Sequence, residues 1–220
     1  MPIFGNTTIG TSGNSDLSNT LQAYKVTTPS TDITNAYLKS ITLYTSAESQ
    51  VATVIWGLYS DRGGVLADTK ILYQTTGNSY AAGIGWQETT QPFIAAVNPV
   101  TSETFPTALS GSTTYWLVSL ATTIAAATPR SRWNTVGTVE KLVSSYNYTN
   151  YPTLPVDFGA AETSFTRRVS VYATYYVAET DTITSDAVIA SGGQEPTEDT
   201  VTIYSDGHIK GSDTTTITSD

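Results

Sequence analysis

The run Leu21-Gln22-Ala23-Tyr24-Lys25-Val26 alternates strictly, setting Leu21, Ala23 and Lys25 on one face of an extended chain and Tyr24 and Val26 on the other. Segments of this kind recur down the chain with no helical period between them, and that recurrence limits the fold more than any other feature. Tyr37-Leu38-Lys39-Ser40-Ile41-Thr42-Leu43-Tyr44 is the next, followed by Val51-Ala52-Thr53-Val54-Ile55-Trp56-Gly57-Leu58-Tyr59. The latter is apolar on both faces, as a central sandwich strand must be. Ser60-Asp61-Arg62-Gly63-Gly64 ends it, because paired glycines supply the positive φ angles of a turn. A short strand is expected at residues 70–73. Residues 85–97 hold Trp86, Phe93 and Ile94, with Pro92 confining that strand to an edge or a bulge. Thr114-Tyr115-Trp116-Leu117-Val118-Ser119-Leu120 follows the turn Ser110-Gly111-Ser112, and residues 169–177 place Val169, Val171, Ala173 and Tyr175 on one face. Residues 124–127 have a helical look but are too few to nucleate a helix. The pattern predicts an all-β chain: an antiparallel, jelly-roll-like β-sandwich of about eight strands over residues 21–177. Residues 1–20 are rich in Gly, Ser, Thr and Asn and read as an N-terminal arm or loop.

Charge divides the chain. The formal net charge is −9, yet residues 1–176 carry ten acidic and nine basic groups. The acidity lies beyond them: Glu179, Asp181, Asp186, Glu195, Glu198, Asp199, Asp206, Asp213 and Asp220 stand against Lys210 alone. That break marks a boundary, with an acidic tail over residues 178–220. The tail contains a degenerate repeat. Thr182-Ile183-Thr184-Ser185-Asp186-Ala187-Val188-Ile189 aligns with Thr202-Ile203-Tyr204-Ser205-Asp206-Gly207-His208-Ile209, and a third copy begins at Thr216-Ile217-Thr218-Ser219-Asp220. Asp206-Gly207 is a favoured type I′ pair, so the tail is expected to form β-hairpins turning at Asp186 and at Asp206-Gly207. An isolated hairpin is marginal in water, so each unit needs neighbours, either stacked units or strands of other subunits. The third copy stops where its hairpin would turn, and the expectation is a truncated chain whose natural polypeptide continues.

Composition removes several kinds of chemistry. Without cysteine there is no disulfide framework, thiolate metal site or Cys nucleophile, and one histidine, His208, cannot supply a two-imidazole site. His208 sits beside a tail turn and reads as a solvated hairpin residue. Phosphate binding needs clustered Lys and Arg, so nucleic acid is not an expected partner. No apolar run reaches the ~18 residues of a membrane span, and Met1-Pro2-Ile3-Phe4-Gly5-Asn6-Thr7 lacks the basic and apolar regions of a conventional signal peptide. Glu48, Glu88, Glu103, Glu140 and Glu162 include no pair that stands out as a glycosidase couple. Asp61 beside Gly63-Gly64 could ligate calcium through a turn, but stabilising the turn itself is the favoured reading. No phosphate loop, zinc spacing or EF-hand pattern is present, and neither cofactor nor metal is expected.

Ile41-Thr42-Leu43-Tyr44, then Trp56-Gly57-Leu58-Tyr59-Ser60-Asp61-Arg62-Gly63-Gly64-Val65-Leu66-Ala67, then Leu109-Ser110-Gly111-Ser112-Thr113-Thr114-Tyr115-Trp116-Leu117 together resemble a widespread jelly-roll module. The opening Phe4-Gly5-Asn6-Thr7-Thr8-Ile9-Gly10 and the closing Ser170-Val171-Tyr172-Ala173-Thr174-Tyr175 resemble versions in bacteriophage virion proteins, of fibre or decoration type. Related modules in microbial surface proteins look like carbohydrate-binding or adhesion domains. The resemblance covers residues 4–176 and rests on turns and core strands, so it speaks to fold more than to function. The module's proline after the Gly-Gly turn is absent here, where Val65-Leu66 stands.

Exposed aromatics are the remaining candidates for binding. Trp56 and Trp116 lie in core-like strands and are expected to be buried. Trp133, Tyr146, Tyr148 and Tyr151, with Arg130 and Arg132 alongside, are the expected exposed set, serving as a glycan or subunit contact. The leading expectation is a non-enzymatic structural protein: a virion subunit (phage decoration, fibre or tail-associated) or a self-assembling extracellular filament. It would form homo-oligomers or join other virion subunits by strand addition through arm or tail. The alternative is a carbohydrate-binding or adhesion module that takes a surface glycan.

Overall fold

A computed structural model describes residues 1–16, 21–29, 33, 36–46, 52–61, 71–75, 77–80, 83–91, 93–95, 108–121, 130–144, 154–155, 158–159, 161–177, 179–183 and 201–205. The described residues are all-β. In chain order the strands are β1 (Ile3–Gly5), β2 (Ser12–Asp16), β3 (Leu21–Thr27), β4 (Ala36–Thr45), β5 (Ala52–Ser60) and β6 (Ile71–Thr75). Next come β7 (Asn78–Tyr80), β8 (Gly85–Glu88), β9 (Phe93–Ala95), β10 (Thr114–Ala121), β11 (Arg130–Thr135) and β12 (Lys141–Ser144). The last are β13 (Thr163–Phe165), β14 (Arg167–Val169), β15 (Val171–Val177), β16 (Glu179–Ile183) and β17 (Val201–Ser205). The chain divides into two compact units, Met1–Tyr176 and Val177–Asp220.

The first unit is two antiparallel sheets sharing one core. One runs β1-β15-β4-β11-β14, with β2 also on β11 and β8 on β4; the other runs β13-β12-β3-β10-β5-β6-β9, with β7 on β5. Between them lie Phe4, Leu38, Ile41, Leu43, Val169, Val171, Ala173 and Tyr175 from the first sheet, facing Tyr24, Val26, Val54, Trp56, Leu58 and Leu117 from the second. Leu38 and Ile41 are both core residues though three apart, so the alternation of β4 slips by one place at Lys39-Ser40.

The outer face of the second sheet is covered as well. Leu21, Ala23, Ile55, Tyr59, Trp116 and Val118 form a second apolar cluster with Leu154 and Phe158. The Tyr59 hydroxyl donates to the Pro155 carbonyl at 2.5 Å. Strands β3, β5 and β10 are thus buried on both faces, which accounts for the unbroken apolar run of β5. Trp56 and Trp116 are both buried, as their strands predict. The Trp116 indole N–H donates to Asp61 Oδ1 at 2.7 Å, so that carboxylate anchors a core ring.

Two strand expectations need revision. Among the described residues the two sheets hold seven and eight strands rather than about eight in all, because short segments without a strand signal of their own, such as β1, β2, β12 and β13, join the sheets, and because runs that read as single strands are divided. Residues 85–97 are one such run: β8 pairs with β4 in the first sheet and β9 with β6 in the second, while Pro92 lies outside the described residues. Residues 1–20, expected as an arm or loop, contribute β1 on β15 and β2 on β11.

In the second unit β16 pairs antiparallel with β17, with Thr182 opposite Thr202. Asp186, Asp206 and Gly207, the expected hairpin turns, lie outside the described residues, as does His208.

Candidate functional site

Residues 163–169 form an extended chain that passes from one sheet to the other. Phe165 in β13 lies opposite Lys141 in β12, and two residues later Arg167 in β14 lies opposite Thr135 in β11. Successive residues of a strand face opposite ways, so Phe165, Arg167 and Val169 share one side and Arg168 takes the other. On the β11 ladder Trp133 is paired with Val169, which puts the indole diagonal to Arg167 on the same face.

That register stacks rings and cations in a row. The Arg167 guanidinium lies 4.2 Å from the centre of the Trp133 ring and 4.6 Å from that of Phe165. Lys141 Nζ lies 5.6 Å from the Phe165 ring and 5.9 Å from the Tyr24 ring. Tyr24 in turn meets Trp56 with centroids 6.1 Å apart. Each cation–π contact is worth ~0.5–1 kcal/mol at a partly exposed position, more where solvent is excluded. The row ties both sheets together where the chain crosses between them. At its inner end burial pushes the Tyr24 phenol well above its ordinary range, an effect that its hydrogen bond with Ser119 only partly opposes.

A cavity of about 360 Å³ opens at the outer end of the row, lined by Trp133, Thr135, Val139, Ser164, Phe165, Thr166 and Arg167. Trp133 is half-buried and packs against the inter-sheet core, while Val139 is 41% exposed at the rim. Among the described residues no carboxylate or carbonyl is hydrogen-bonded to the Arg167 guanidinium.

Arg168 behaves differently. Its Nε donates to Glu140 Oε2 at 2.6 Å and its Nη2 to Oε1 at 2.5 Å, a two-pronged ion pair. Glu140's hydrogen bonds raise the affinity of Arg168 for its proton further. This pair borders a second cleft, also about 360 Å³, with Gly5, Asn6, Lys25 and Thr27.

The N-terminal segment fixes the floor beneath Trp133. Asn6 N–H donates to Val171 O at 2.8 Å, and Asn6 Nδ2 donates to Val169 O at 3.1 Å. Gly10 N–H donates to Ser170 Oγ at 2.8 Å, and that hydroxyl donates to Thr8 O. Thr11 N–H reaches Asn134 Oδ1 at 3.0 Å. Gly10 sits so close to β11 that a Cβ there would lie 2.3 Å from the Trp133 backbone nitrogen. Only glycine fits.

Of the expected contact set, the structure places Trp133 at the cavity. Arg130 and Arg132 share its strand and are half-buried, but neither lines the cavity. Tyr146, Tyr148 and Tyr151 lie outside the described residues. Phe165 and Arg167 were not anticipated from the sequence. The signal was there: the face Val169, Val171, Ala173, Tyr175 continued two places backward gives Arg167 and then Phe165.

Comparison with protein-family models, curated proteins and solved structures finds no match for this chain. Among the described residues no three His, Cys, Asp or Glu side chains gather as a metal site, and no helix is long and apolar enough to cross a membrane.

Proposed function

We propose that this chain is a non-enzymatic structural protein whose jelly-roll-like sandwich is carried in a virion (as a phage decoration, fibre or tail-associated subunit) or in an extracellular filament, and which assembles by strand addition. The observation that carries this reading is the tail ladder. Thr182 and Thr202 occupy the same place in the two repeat copies, and they lie opposite each other, with Asp181 facing Ile203 and Ile183 facing Val201. The repeat strand is therefore self-complementary about that threonine. A strand that pairs antiparallel with a copy of itself in one chain has the hydrogen-bonding edge to pair with a copy in another. The third copy at Thr216 repeats the same sequence type. The nearly neutral body presents little repulsion to packing, and the tail's charge opposes unspecific association while its strands are unpaired. Light scattering and electron microscopy of the purified full chain test this. Multimers or filaments are expected, reduced to monomers when residues 177–220 are deleted; a monodisperse 23.5 kDa monomer with an ordered tail overturns it.

A second reading, a carbohydrate-binding or adhesion module, is favoured by the cavity beside a half-buried Trp133. Glycan-array binding lost in Trp133→Ala supports it, and burial of Trp133 against a neighbouring subunit counts against it.

A further inference from the structure

We infer that the Arg167 cavity is a receptor for a carboxylate-bearing sugar, a hexuronate unit of an acidic glycan, held by the edge of the guanidinium. The inference rests on the carbohydrate-binding reading and gives it a ligand class and a residue.

A guanidinium has two apolar faces and a rim of five N–H donors. The Arg167 guanidinium lies over the rings of both Trp133 and Phe165, 4.2 and 4.6 Å from their centres, which restrains the group and lowers the entropy lost when it is engaged. The rim is left for a ligand, since none of the described residues accepts a hydrogen bond from it. A planar fork held in place is the geometry that binds a carboxylate through two parallel hydrogen bonds.

Arg167 also occupies a face of the Trp133 ring. A neutral sugar stacking there would have to displace a cation already in contact with the indole. Recognition therefore passes from the ring face to the guanidinium edge, and from neutral sugars to acidic ones.

The rest of the lining suits a sugar better than an isolated acidic side chain. Thr135, opposite Arg167 on the β11 ladder, offers a hydroxyl, which both donates and accepts, and Val139 offers an apolar surface for ring C–H groups. A volume of about 360 Å³ lies at the small end of ligand pockets, which span roughly 300–1,000 Å³. One or two sugar rings occupy it, whereas a single Asp or Glu side chain leaves most of it empty.

The test is calorimetric titration of the full chain with a galacturonate tetrasaccharide and with the matching neutral galactose tetrasaccharide. The acidic ligand is expected to bind and the neutral one to bind about tenfold more weakly or not at all. Arg167→Lys keeps the charge but loses the fork, and is expected to weaken binding about tenfold. Arg168→Met, on the other side of the strand, is expected to leave binding unchanged. Equal binding of both sugars overturns the inference while leaving the carbohydrate reading in place. Absence of binding to either sugar overturns both. Unchanged affinity in Arg167→Lys overturns the fork, because a point charge would then suffice. Binding of a peptide of tail sequence 193–206 where the acidic sugar fails overturns the sugar as occupant and assigns the cavity to the acidic tail of a second copy.

Discussion

Arg167 and Arg168 are chemically identical neighbours on one three-residue strand, each beside a cleft of about 360 Å³, yet they are satisfied in opposite ways. Arg168 spends the rim of its guanidinium on Glu140. Arg167 lies over the rings of Trp133 and Phe165, and its N–H donors are left over. The pleat alone separates them, because adjacent side chains leave a strand on opposite sides. Cavity volume does not distinguish the two clefts. What distinguishes them is which part of the cation the protein has already engaged, and a cation paired inside its own chain has little left for a partner.

The largest test of that contrast removes the floor of one side. Gly10→Ala would set a Cβ 2.3–2.5 Å from the backbone of Trp133. The clash is with backbone on both sides, so neither segment can yield by changing a rotamer. A loss of about 3 kcal/mol or more is expected in denaturant unfolding, with altered tryptophan fluorescence in whatever folded protein remains. Unchanged stability would show that residues 6–11 are not lashed to β11.

The next test addresses the inner end of the stacked row. The Tyr24 phenol holds its proton more tightly in the folded chain than its ordinary value of 10.0 allows, chiefly through burial. Above pH 10 the unfolded chain releases that proton while the folded chain keeps it, so high pH favours unfolding. Below pH 10 the group contributes nothing to the pH dependence. Stability is expected to fall by about 1.4 kcal/mol per pH unit from this group as pH rises above 10. Tyr24→Phe removes that component of the slope. It also costs about 1 kcal/mol at neutral pH, through the lost hydrogen bonds to Gln22 and Ser119. An identical slope in both proteins would place the phenol in solvent.

Much of this architecture was legible in the sequence. Strict alternation in residues 21–26, the apolar-rich strand run 37–44, and the two-sided apolar run ending at Tyr59 gave β3, β4 and β5 nearly to their ends, because burial selects the residues directly. What was not legible depends on pairing across the chain. Nothing local in Ile3-Phe4-Gly5 says that it joins a strand some 170 residues away, since Phe4 meets Ala173 only in the folded sheet. Residues 85–97 read as one strand because alternation says nothing about which sheet a segment enters. The cavity was half legible. Trp133 drew attention as an aromatic beside arginines, but the arginine that meets its ring is Arg167 from β14, not Arg130 or Arg132 from its own strand. An isolated Arg-Arg pair carries no mark of which member is free; that follows from register, and register is a property of two strands.

The smallest expected effect is the most direct test of the comparison. The Arg168–Glu140 pair is well formed, but the Arg168 side chain is 51% exposed, and an exposed ion pair repays little once solvent screening and side-chain ordering are counted. Glu140→Gln is expected to cost no more than about 1 kcal/mol in unfolding experiments at low salt, and less in 1 M NaCl, where the Debye length falls to about 3 Å. Arg167→Met keeps an apolar stem beside the two rings and loses only the cation–π component, about 0.5–1 kcal/mol per ring, with little response to salt because the rings carry no net charge. The two arginines thus separate by salt dependence rather than by size of effect. Should Arg167→Met prove as salt-sensitive as Glu140→Gln, Arg167 has an acidic partner within the chain, and the contrast between the two sides of β14 disappears.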